Sequence, residues 1–410
     1  MSSAAPAETS AAAADDTSLA AIARARWDAI RSGDVGSLPV IIGIVAITIY
    51  FTSKTTIFFS AVNFTNLIGQ MAGTTVIAIG VVFVLLIGEI DLSIGFVSGV
   101  AGVTVAELQM PGSGHQVPGL IAIGAALAVG AAIGALQGSF IALIGVPSFV
   151  VTLAGLLTWQ GVILKALGTQ GVIGIQDKQI NDVSNYVLTK DWGWAIAVVF
   201  TLGYALAALG THWSRRRAGL RAGNIVLTAA RVVFFGALAF AAVAVCNHTR
   251  GVPLVGLIVL FLVVLGAYVA SRTTFGRHVY AVGGSAEAAR RAGINVKLIR
   301  ILVFTISGAM AGMGGVILAS RLNSVDLTAG GGTLLLDSIS AAVIGGVSLF
   351  GGRGRVSGAL FGGLIIGMIS NGIDLVGYTD AVKYITTGVI LLAAVTLDTV
   401  LRRRQTAAGR

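Results

Sequence analysis

Two carboxylates stand between long apolar runs, and they are the first residues of this chain whose chemistry needs an explanation. Glu89 and Asp91 lie in the stretch GEIDLSIG, Gly88–Gly95, with no basic neighbour in sequence. A carboxylate at membrane depth is costly unless it is paired or hydrated, so such residues are functional candidates. A second interpretation stays open, in which the stretch is a short turn and Asp91 or Ser93 caps the next helix.

A second candidate site is the stretch FGRHVYAVGGSAEAARRAGI, Phe275–Ile294. Ser285 is a candidate N-cap of a short helix, and Glu287 follows in the first turn, near the positive end of the helix dipole. Gly293 supplies a stop signal. A short capped helix that is rich in small residues suits docking into a groove of a partner protein. An ordinary basic loop between membrane helices is the alternative.

The elements that position these residues are apolar runs. A spanning helix needs about 20 apolar residues, and the runs predict an all-α integral membrane protein, a polytopic bundle of about twelve transmembrane helices. The predicted spans are Leu38–Phe51, Asn63–Ile87, Ile94–Met110, Pro118–Ile144, Ser148–Leu167, Gly193–Thr211, Val232–Val245, Val252–Ser271, Ile301–Ala319, Leu334–Phe350, Val356–Ile373 and Ala381–Val400. We expect one membrane domain over 38–401, a disordered N-terminal tail with a short surface helix over 1–37, and a C-terminal tail over 402–410.

Composition supports a membrane protein independently of the spans. Apolar residues make up 56% of the chain and charged residues 11%, whereas a soluble chain is about 25% charged. The 56 glycines fit membrane helices whose backbones approach closely. The net charge of +10 does not indicate nucleic-acid binding, because the basic residues fall in particular loops. The single cysteine, Cys246, excludes an internal disulfide and a multi-cysteine metal site.

The basic residues also predict the orientation. With the N-terminus inside, the inner segments hold most of the arginines, including those of 215–231, 272–300 and Arg402–Arg404. The outer segments hold Lys54, Lys178, Lys190, Arg250, Arg321 and Lys383. Because positive charge concentrates on the cytoplasmic side, both termini and the 272–300 loop are expected in the cytoplasm.

Motifs for catalysis or cofactor binding are missing from the sequence. No G-x-x-x-x-G-K-[ST] phosphate loop occurs, so we do not expect the chain to bind ATP in that way. The histidines, His115, His212, His248 and His278, are scattered and form no metal-binding spacing. No Ser/His/Asp catalytic triad can be recognised from the residues that surround the serines. We therefore expect no catalytic residues, no metal and no cofactor.

A weak internal repeat is visible around the carboxylates. Gly88–Gly95 and Gly351–Gly358 each join two apolar runs, are bounded by glycines and carry a serine near the second glycine. Transporters are often built from repeats, with the substrate path between them. Chance similarity is the alternative, since the chain is rich in glycine.

The loop at 272–300 resembles the cytoplasmic coupling loop of sugar permeases of ABC importers, the ribose, xylose and galactose class. The residues concerned are Gly276, Arg277, Ala281, Gly283, Gly284, Glu287, Ala288, Ala289, Gly293 and Ile294. Three other fragments agree: GEIDLSIG at Gly88–Gly95, VPSFVVTLAG at Val146–Gly155 and RGVP at Arg250–Pro253. Together they are most similar to the xylose-type permeases, over about Pro39 to Arg404.

The resemblance implies a permease of the bacterial inner membrane that works as a homodimer. It also implies two cytoplasmic ATPase subunits, an extracytoplasmic sugar-binding protein, and a xylose-like pentose or other monosaccharide as substrate. ATP hydrolysis would then belong to a separate chain, so this chain would be a transporter subunit and not an enzyme. The stretch Gly88–Gly95 would matter to gating. We take Asn66, Gln70, Phe149 and Asn371 as candidates for the substrate path.

Two other classes of function are open on the sequence alone. An ion-coupled secondary transporter could use buried carboxylates such as Glu89, Asp91 or Asp337. A membrane-embedded enzyme is disfavoured because no catalytic constellation is present. The loop at Ala281–Ile294 discriminates between the two transporters, since a secondary transporter has no need of a helix that docks an ATPase.

Overall fold

The computed structural model describes residues 38–110, 116–219 and 224–407, and it is nearly all helical. In chain order the helices are α1 (Leu38–Lys54), α2 (Ala61–Leu86), α3 (Ile94–Glu107), α4 (Gly119–Ser139), α5 (Ser148–Leu167), α6 (Lys178–Asn185), α7 (Lys190–Arg217), α8 (Ile225–Thr249), α9 (Leu254–Arg272), α10 (Thr274–Gly284), α11 (Ala286–Arg291), α12 (Val296–Leu322), α13 (Leu334–Ile344), α14 (Gly358–Val376) and α15 (Asp380–Ala407). A π-helical turn, Phe140–Ile144, extends α4. Two short strands, β1 (Val172–Gly174) and β2 (Ser324–Asp326), pair antiparallel. The expected N-terminal surface helix lies outside the described residues.

The described residues contain eight helices that are long and apolar enough to cross a membrane: α2, α4 with its π turn, α5, α7, α8, α9, α12 and α14. Three shorter apolar helices, α1, α3 and α13, accompany them. These lengths confirm the expected polytopic helical membrane protein.

Some predicted boundaries are wrong for identifiable reasons. The apolar run Leu334–Phe350 was expected to be one span, but α13 ends at Ile344. Glycines in the left-handed region, among them Gly346 and Gly351, turn the chain there, and hydropathy cannot register such turns. The polar stretch before α7 forms β1 and then α6, whose N-terminus is capped by Asp177.

The core is built around α2 and α12. Helix α12 packs against α3 and α4, and α2 packs against α13 and α14. The helices approach at glycines: a Cβ added at Gly130 would overlap the carbonyl of Gly308, and one added at Gly134 would overlap the carbonyl of Phe304. Such contact of backbone with backbone is what small residues allow in membrane proteins.

The two central helices begin two copies of one arrangement. In each copy a long helix is followed by a short one and then two long ones: α2 to α5, and α12 to α15. Identical residues recur with a constant difference in residue number, at Gly73 and Gly308, Gly80 and Gly315, Asp91 and Asp326, Leu92 and Leu327, and Gly95 and Gly330. Because residues early in α2 face residues late in α12, the two helices run antiparallel and the repeat is inverted.

This repeat differs from the one that the sequence indicated. Gly88–Gly95 and Gly351–Gly358 are neighbours in space, since Gly351 approaches the backbone of Gly88. The counterpart of Gly88–Gly95 is Asn323–Gly330. Both segments begin with a left-handed residue within two residues of the end of a central helix, with φ of +77° at Gly88 and +52° at Asn323. Bounding glycines were therefore a misleading signal.

The chain divides into two compact units. The larger one, over Pro39–Gly193 and Val243–Val400, contains both halves of the repeat. We call the end where the loops 87–93, 272–295 and 345–357 meet its basic end, and the end that holds β1 and β2 its strand end. In the smaller unit, Trp194–Ala242 forms a two-helix hairpin in which Tyr204 contacts Phe235 edge-on at 5.3 Å between ring centroids.

Candidate functional site

The segment between α9 and α12 forms two short helices instead of the single one predicted. Helix α10 starts at a Thr273 cap, whose hydroxyl accepts the Gly276 N–H at 3.1 Å. Ser285 is extended and breaks the helix, and its hydroxyl accepts the Ala288 N–H at 3.2 Å, which starts α11. The predicted cap at Ser285 is confirmed. Two capped helices in sequence give this segment a fixed shape.

The end of α11 is fixed by a left-handed glycine. Gly293 has a φ of +83°, and its N–H bonds to the Arg290 carbonyl at 3.0 Å. The Ile294 N–H returns to the Ala289 carbonyl, also at 3.0 Å. These two bonds form a Schellman motif, which satisfies carbonyls that the helix end leaves open. The stop predicted at Gly293 is confirmed.

The exposed surface of α11 carries charged side chains and small ones. Glu287 bonds to Arg290 at 2.8 Å and to Arg291 at 3.1 Å, and all three side chains are exposed. Ala288 is exposed, whereas Ala289 is only 4% exposed and packs inside the chain. Of the two alanines, only Ala288 is available to a partner protein.

Helix α10 sits directly on two loops at the basic end. A Cβ at Gly283 would overlap the Leu86 carbonyl and lie 2.6 Å from the Gly352 nitrogen. The Gly352 N–H donates to that same Leu86 carbonyl at 2.9 Å. Tyr280 Oη donates to the Gly354 carbonyl at 2.8 Å. Burial raises the pKa of the Tyr280 phenol, which therefore keeps the proton that it donates.

The other predicted residues of this segment have different surroundings. Gly276 has no room for a Cβ because the Ala270 carbonyl lies against it. Arg277 is exposed and Ala281 is half-buried. A Cβ at Gly284 would meet no atom within 4 Å, in contrast to its neighbour Gly283.

The loop between α2 and α3 holds a buried polar network. Asp91 is 7% exposed, and its Oδ1 accepts the N–H of Ser93 at 2.9 Å and the hydroxyl at 2.7 Å. Gln137 on α4 donates to the Ser93 hydroxyl at 2.9 Å. Gly155 on α5 closes over Gln137 with no room for a side chain. Asp91 therefore orders the turn before α3, and Gln137 ties that turn to α4.

The second carboxylate is paired with a cation. Glu89 lies 3.1 Å from Arg300 on α12, and both side chains are partly buried. The pair links the loop after α2 to the first turns of α12, so the ends of the two central helices are joined electrostatically. Gly95, in the first turn of α3, packs against Gly330, where a Cβ would lie 2.6 Å from the Gly330 carbonyl.

The residues predicted for the substrate path do not form a single group. Asn371 and Gln70 come together, with the Asn371 amide donating to Gln70 Oε1 at 2.9 Å. The same amide exchanges two hydrogen bonds with Asn63, at 2.8 and 2.9 Å. Asn66 is exposed, and Phe149 is 56% exposed on α5.

Asp337, near the start of α13, is also held by hydroxyls. Its carboxylate accepts Thr333 Oγ1 at 2.6 Å and Thr387 Oγ1 at 3.1 Å. In the part of the chain that the structure describes, no group of His, Cys, Asp and Glu residues could hold a metal ion.

Several residues of these networks were not predicted from the sequence. Gln137 and Asn63 had a usable signal, since each is an amide within a predicted span. Arg300 and Gly352 had none, because their roles depend on which loops meet at the basic end.

Comparison with known proteins agrees with this geometry. The family described as branched-chain amino acid transport system / permease component matches residues 63–395. The xylose transport system permease protein XylH of Escherichia coli (strain K12) is 35% identical over 383 residues, covering 92% of this chain and 95% of the relative. No solved structure matches the chain.

Relatives named for other sugars are similar over most of the chain. The ribose import permease protein RbsC of Escherichia coli (strain K12) is 32% identical, covering 83% of this chain and 87% of the relative. The fructose import permease protein FrcC of Rhizobium meliloti is 32% identical, covering 84% and 80%. With eight helices that can cross a membrane among its described residues, the chain is a multi-pass protein of the bacterial inner membrane. It belongs to the branched-chain amino acid transport system / permease component family, as a sugar permease of the ABC transporter type.

Proposed function

We propose that this chain is the membrane-spanning subunit of an ATP-driven sugar importer and carries xylose or a related pentose. The similarity to a xylose permease over nearly the whole chain supports the choice of sugar. ATP is hydrolysed by separate ATPase chains that dock on the basic end. An extracytoplasmic binding protein delivers sugar at the strand end, and two copies of the permease enclose the path.

The single observation that carries this proposal is the position of α10. Gly283 contacts the backbone at both Leu86 and Gly352, so one short helix touches the loop that follows α2 and the loop that precedes α14. Helix α11, which is capped at both ends and exposed, is the surface on which an ATPase would push. The contacts at Gly283 are between backbone atoms. A displacement of α11 and α10 would therefore move the two loops directly, because no flexible side chain lies between them to absorb it.

This geometry supports the following sequence of movements. Closure of the ATPase pair displaces α11 and α10, and the loop at 87–93 moves with them. That loop holds the Glu89–Arg300 pair and the Asp91–Ser93 turn, so α3 and α12 shift relative to each other. The stretch Gly88–Gly95 thereby acts as the gate nearest the ATPases.

The topology that fits this mechanism has twelve spans. It counts the eight long helices together with α1 and α15. It also counts the shorter helices α3 and α13, each of which needs the turn before it to complete a crossing, and it places both termini in the cytoplasm. The arginine-rich segments then lie inside, as the positive-inside rule requires. Of the path candidates, Asn66 and Phe149 have exposed side chains that sugar could contact. Gln70 and Asn371 are instead hydrogen-bonded to each other.

Sugar uptake in intact cells tests the choice of substrate. A strain that depends on this permease should take up labelled xylose, and unlabelled xylose should compete better than unlabelled ribose or fructose. Better competition by ribose or fructose would replace the pentose assignment and leave the permease assignment intact. The secondary-transporter alternative is weakened by the similarity to sugar import permeases over most of the chain, and Glu89 is already paired with Arg300.

A further inference from the structure

The turn that carries Asp91 has a counterpart in the other half of the inverted repeat. We call Asp91–Ser93 the first turn and Asp326–Thr328 the second turn. In the first, Oδ1 of the aspartate accepts the Ser93 N–H at 2.9 Å and its hydroxyl at 2.7 Å. In the second, Oδ1 accepts the Thr328 N–H at 2.8 Å and its hydroxyl at 2.6 Å. Both places thus have an aspartate, a hydroxyl residue two positions later and the same two hydrogen bonds between them.

The segments that follow the two turns cross each other. Gly95 stands four residues after Asp91, and Gly330 stands four residues after Asp326. The carbonyl of each glycine occupies the place that a Cβ on the other would need. The contact is reciprocal, as expected where two inverted copies meet on their symmetry axis. Movement of one turn therefore displaces the other through a rigid backbone contact.

The two turns differ in how far they are exposed. Asp91 and Ser93 are buried, and Gln137 holds them from α4. Asp326 is partly exposed and Thr328 is exposed, although Asp326 is also paired with Val172 of β1. In secondary transporters built from inverted repeats, one repeat rocks against the other when access alternates. Since the two turns belong to opposite repeats, a movement of the same kind in this chain would close one turn as it opens the other.

We propose that the second turn is a gate at the strand end, and that it opens and closes in opposition to the first turn. This proposal rests on the proposed transport function, because it assigns Asp326 and Thr328 a role in the transport cycle.

Substitutions at Asp326 separate a gate from a passive loop. Asp326→Ala removes the acceptor of both hydrogen bonds and should lower uptake at least about tenfold, the size of a typical coupling between sites. Asp326→Asn keeps the Oδ1 acceptor and should restore most of the uptake. Asp177→Ala is the matched control, since Asp177 also accepts a backbone N–H, that of Ile180 at 3.0 Å, but lies outside both turns. It should transport normally.

Cysteine labelling tests the opposition directly. Leu92 and Leu327 are the central residues of the two turns, so Leu92→Cys and Leu327→Cys are equivalent probes, made in a Cys246→Ser background. The permease is reconstituted with its ATPase chains and labelled with a maleimide, without nucleotide and after trapping with ATP and vanadate. The two labelling rates should change in opposite directions, by about tenfold each.

Each outcome decides the proposal. Wild-type uptake by Asp326→Ala, or rates at the two cysteines that rise or fall together, would overturn it. Should Asp326→Ala fail to insert, Thr328→Val, which removes one donor and keeps the side-chain shape, takes its place with the same expectations. Wild-type uptake driven by an ion gradient instead of ATP would overturn the proposed function alone. In that case the cysteine labelling is repeated with and without the ion gradient, and the labelling rates at the two cysteines should again change in opposite directions.

Discussion

Replacing Gly283 with alanine should disrupt the contact between α10 and the two loops at the basic end. The added Cβ would overlap the Leu86 carbonyl and lie 2.6 Å from the Gly352 nitrogen. Both are backbone atoms, so α10 has to move as a whole. Overpacking of this kind costs about 1–3 kcal/mol. The better helix propensity of alanine offsets at most about 1 kcal/mol of that cost.

The neighbouring glycine provides the control. A Cβ at Gly284 would meet no atom within 4 Å, so Gly284→Ala should leave stability unchanged or slightly raised. The assays are thermal inactivation of the purified complex and ATP-dependent sugar uptake by membrane vesicles. Gly283→Ala should lose most of its uptake while the ATPase chains still co-purify, because the exposed surface of α11 is unchanged. Normal uptake by Gly283→Ala would refute the role of this contact, and equal loss in both variants would show a general effect of helix content.

Three further substitutions test other parts of the mechanism. Ala288→Glu places a charge on the exposed surface of α11, where an unpaired charge buried by a partner costs several kcal/mol. Co-purification of the ATPase chains and sugar uptake should therefore be lost together, and wild-type levels of both would refute the docking assignment. Asp91→Asn buries an amide nitrogen near the Ile94 N–H, so uptake should fall while membrane insertion persists, and normal uptake would remove Asp91 from the gate. Arg300→Gln leaves Glu89 partly buried without its cation and should lower stability by about 1–3 kcal/mol; thermal inactivation measures this, and no change would show that the ion pair contributes nothing.

Local signals in the sequence predicted the features that depend on neighbouring residues. Apolar runs of spanning length indicated a membrane bundle, and the cap at Ser285 and the stop at Gly293 are where the sequence places them. Caps and stops are readable because one or two adjacent residues determine them. The break of the segment between α9 and α12 into two helices was missed, although the same serine causes it.

Features that depend on distant residues could not be predicted. The inverted repeat becomes clear only once α2 and α12 are seen to pack antiparallel, because few of its positions are identical. Ala289 was grouped with Ala288 as a docking residue, but packing inside the chain buries it. The partner of Glu89 was equally hidden, since Arg300 is remote in sequence and reaches the loop through the position of α12.

The measurement that tests the central claim most directly is sugar uptake by vesicles whose energy source is controlled. Right-side-out vesicles containing the permease, the ATPase chains and the binding protein are loaded with ATP or left empty, with and without an imposed proton or sodium gradient. Our account predicts xylose uptake that requires internal ATP, stops with vanadate and is indifferent to either gradient. Uptake driven by a gradient in the absence of ATP would contradict it and would return the carboxylates Glu89, Asp91 and Asp337 to the role of ion-coupling groups.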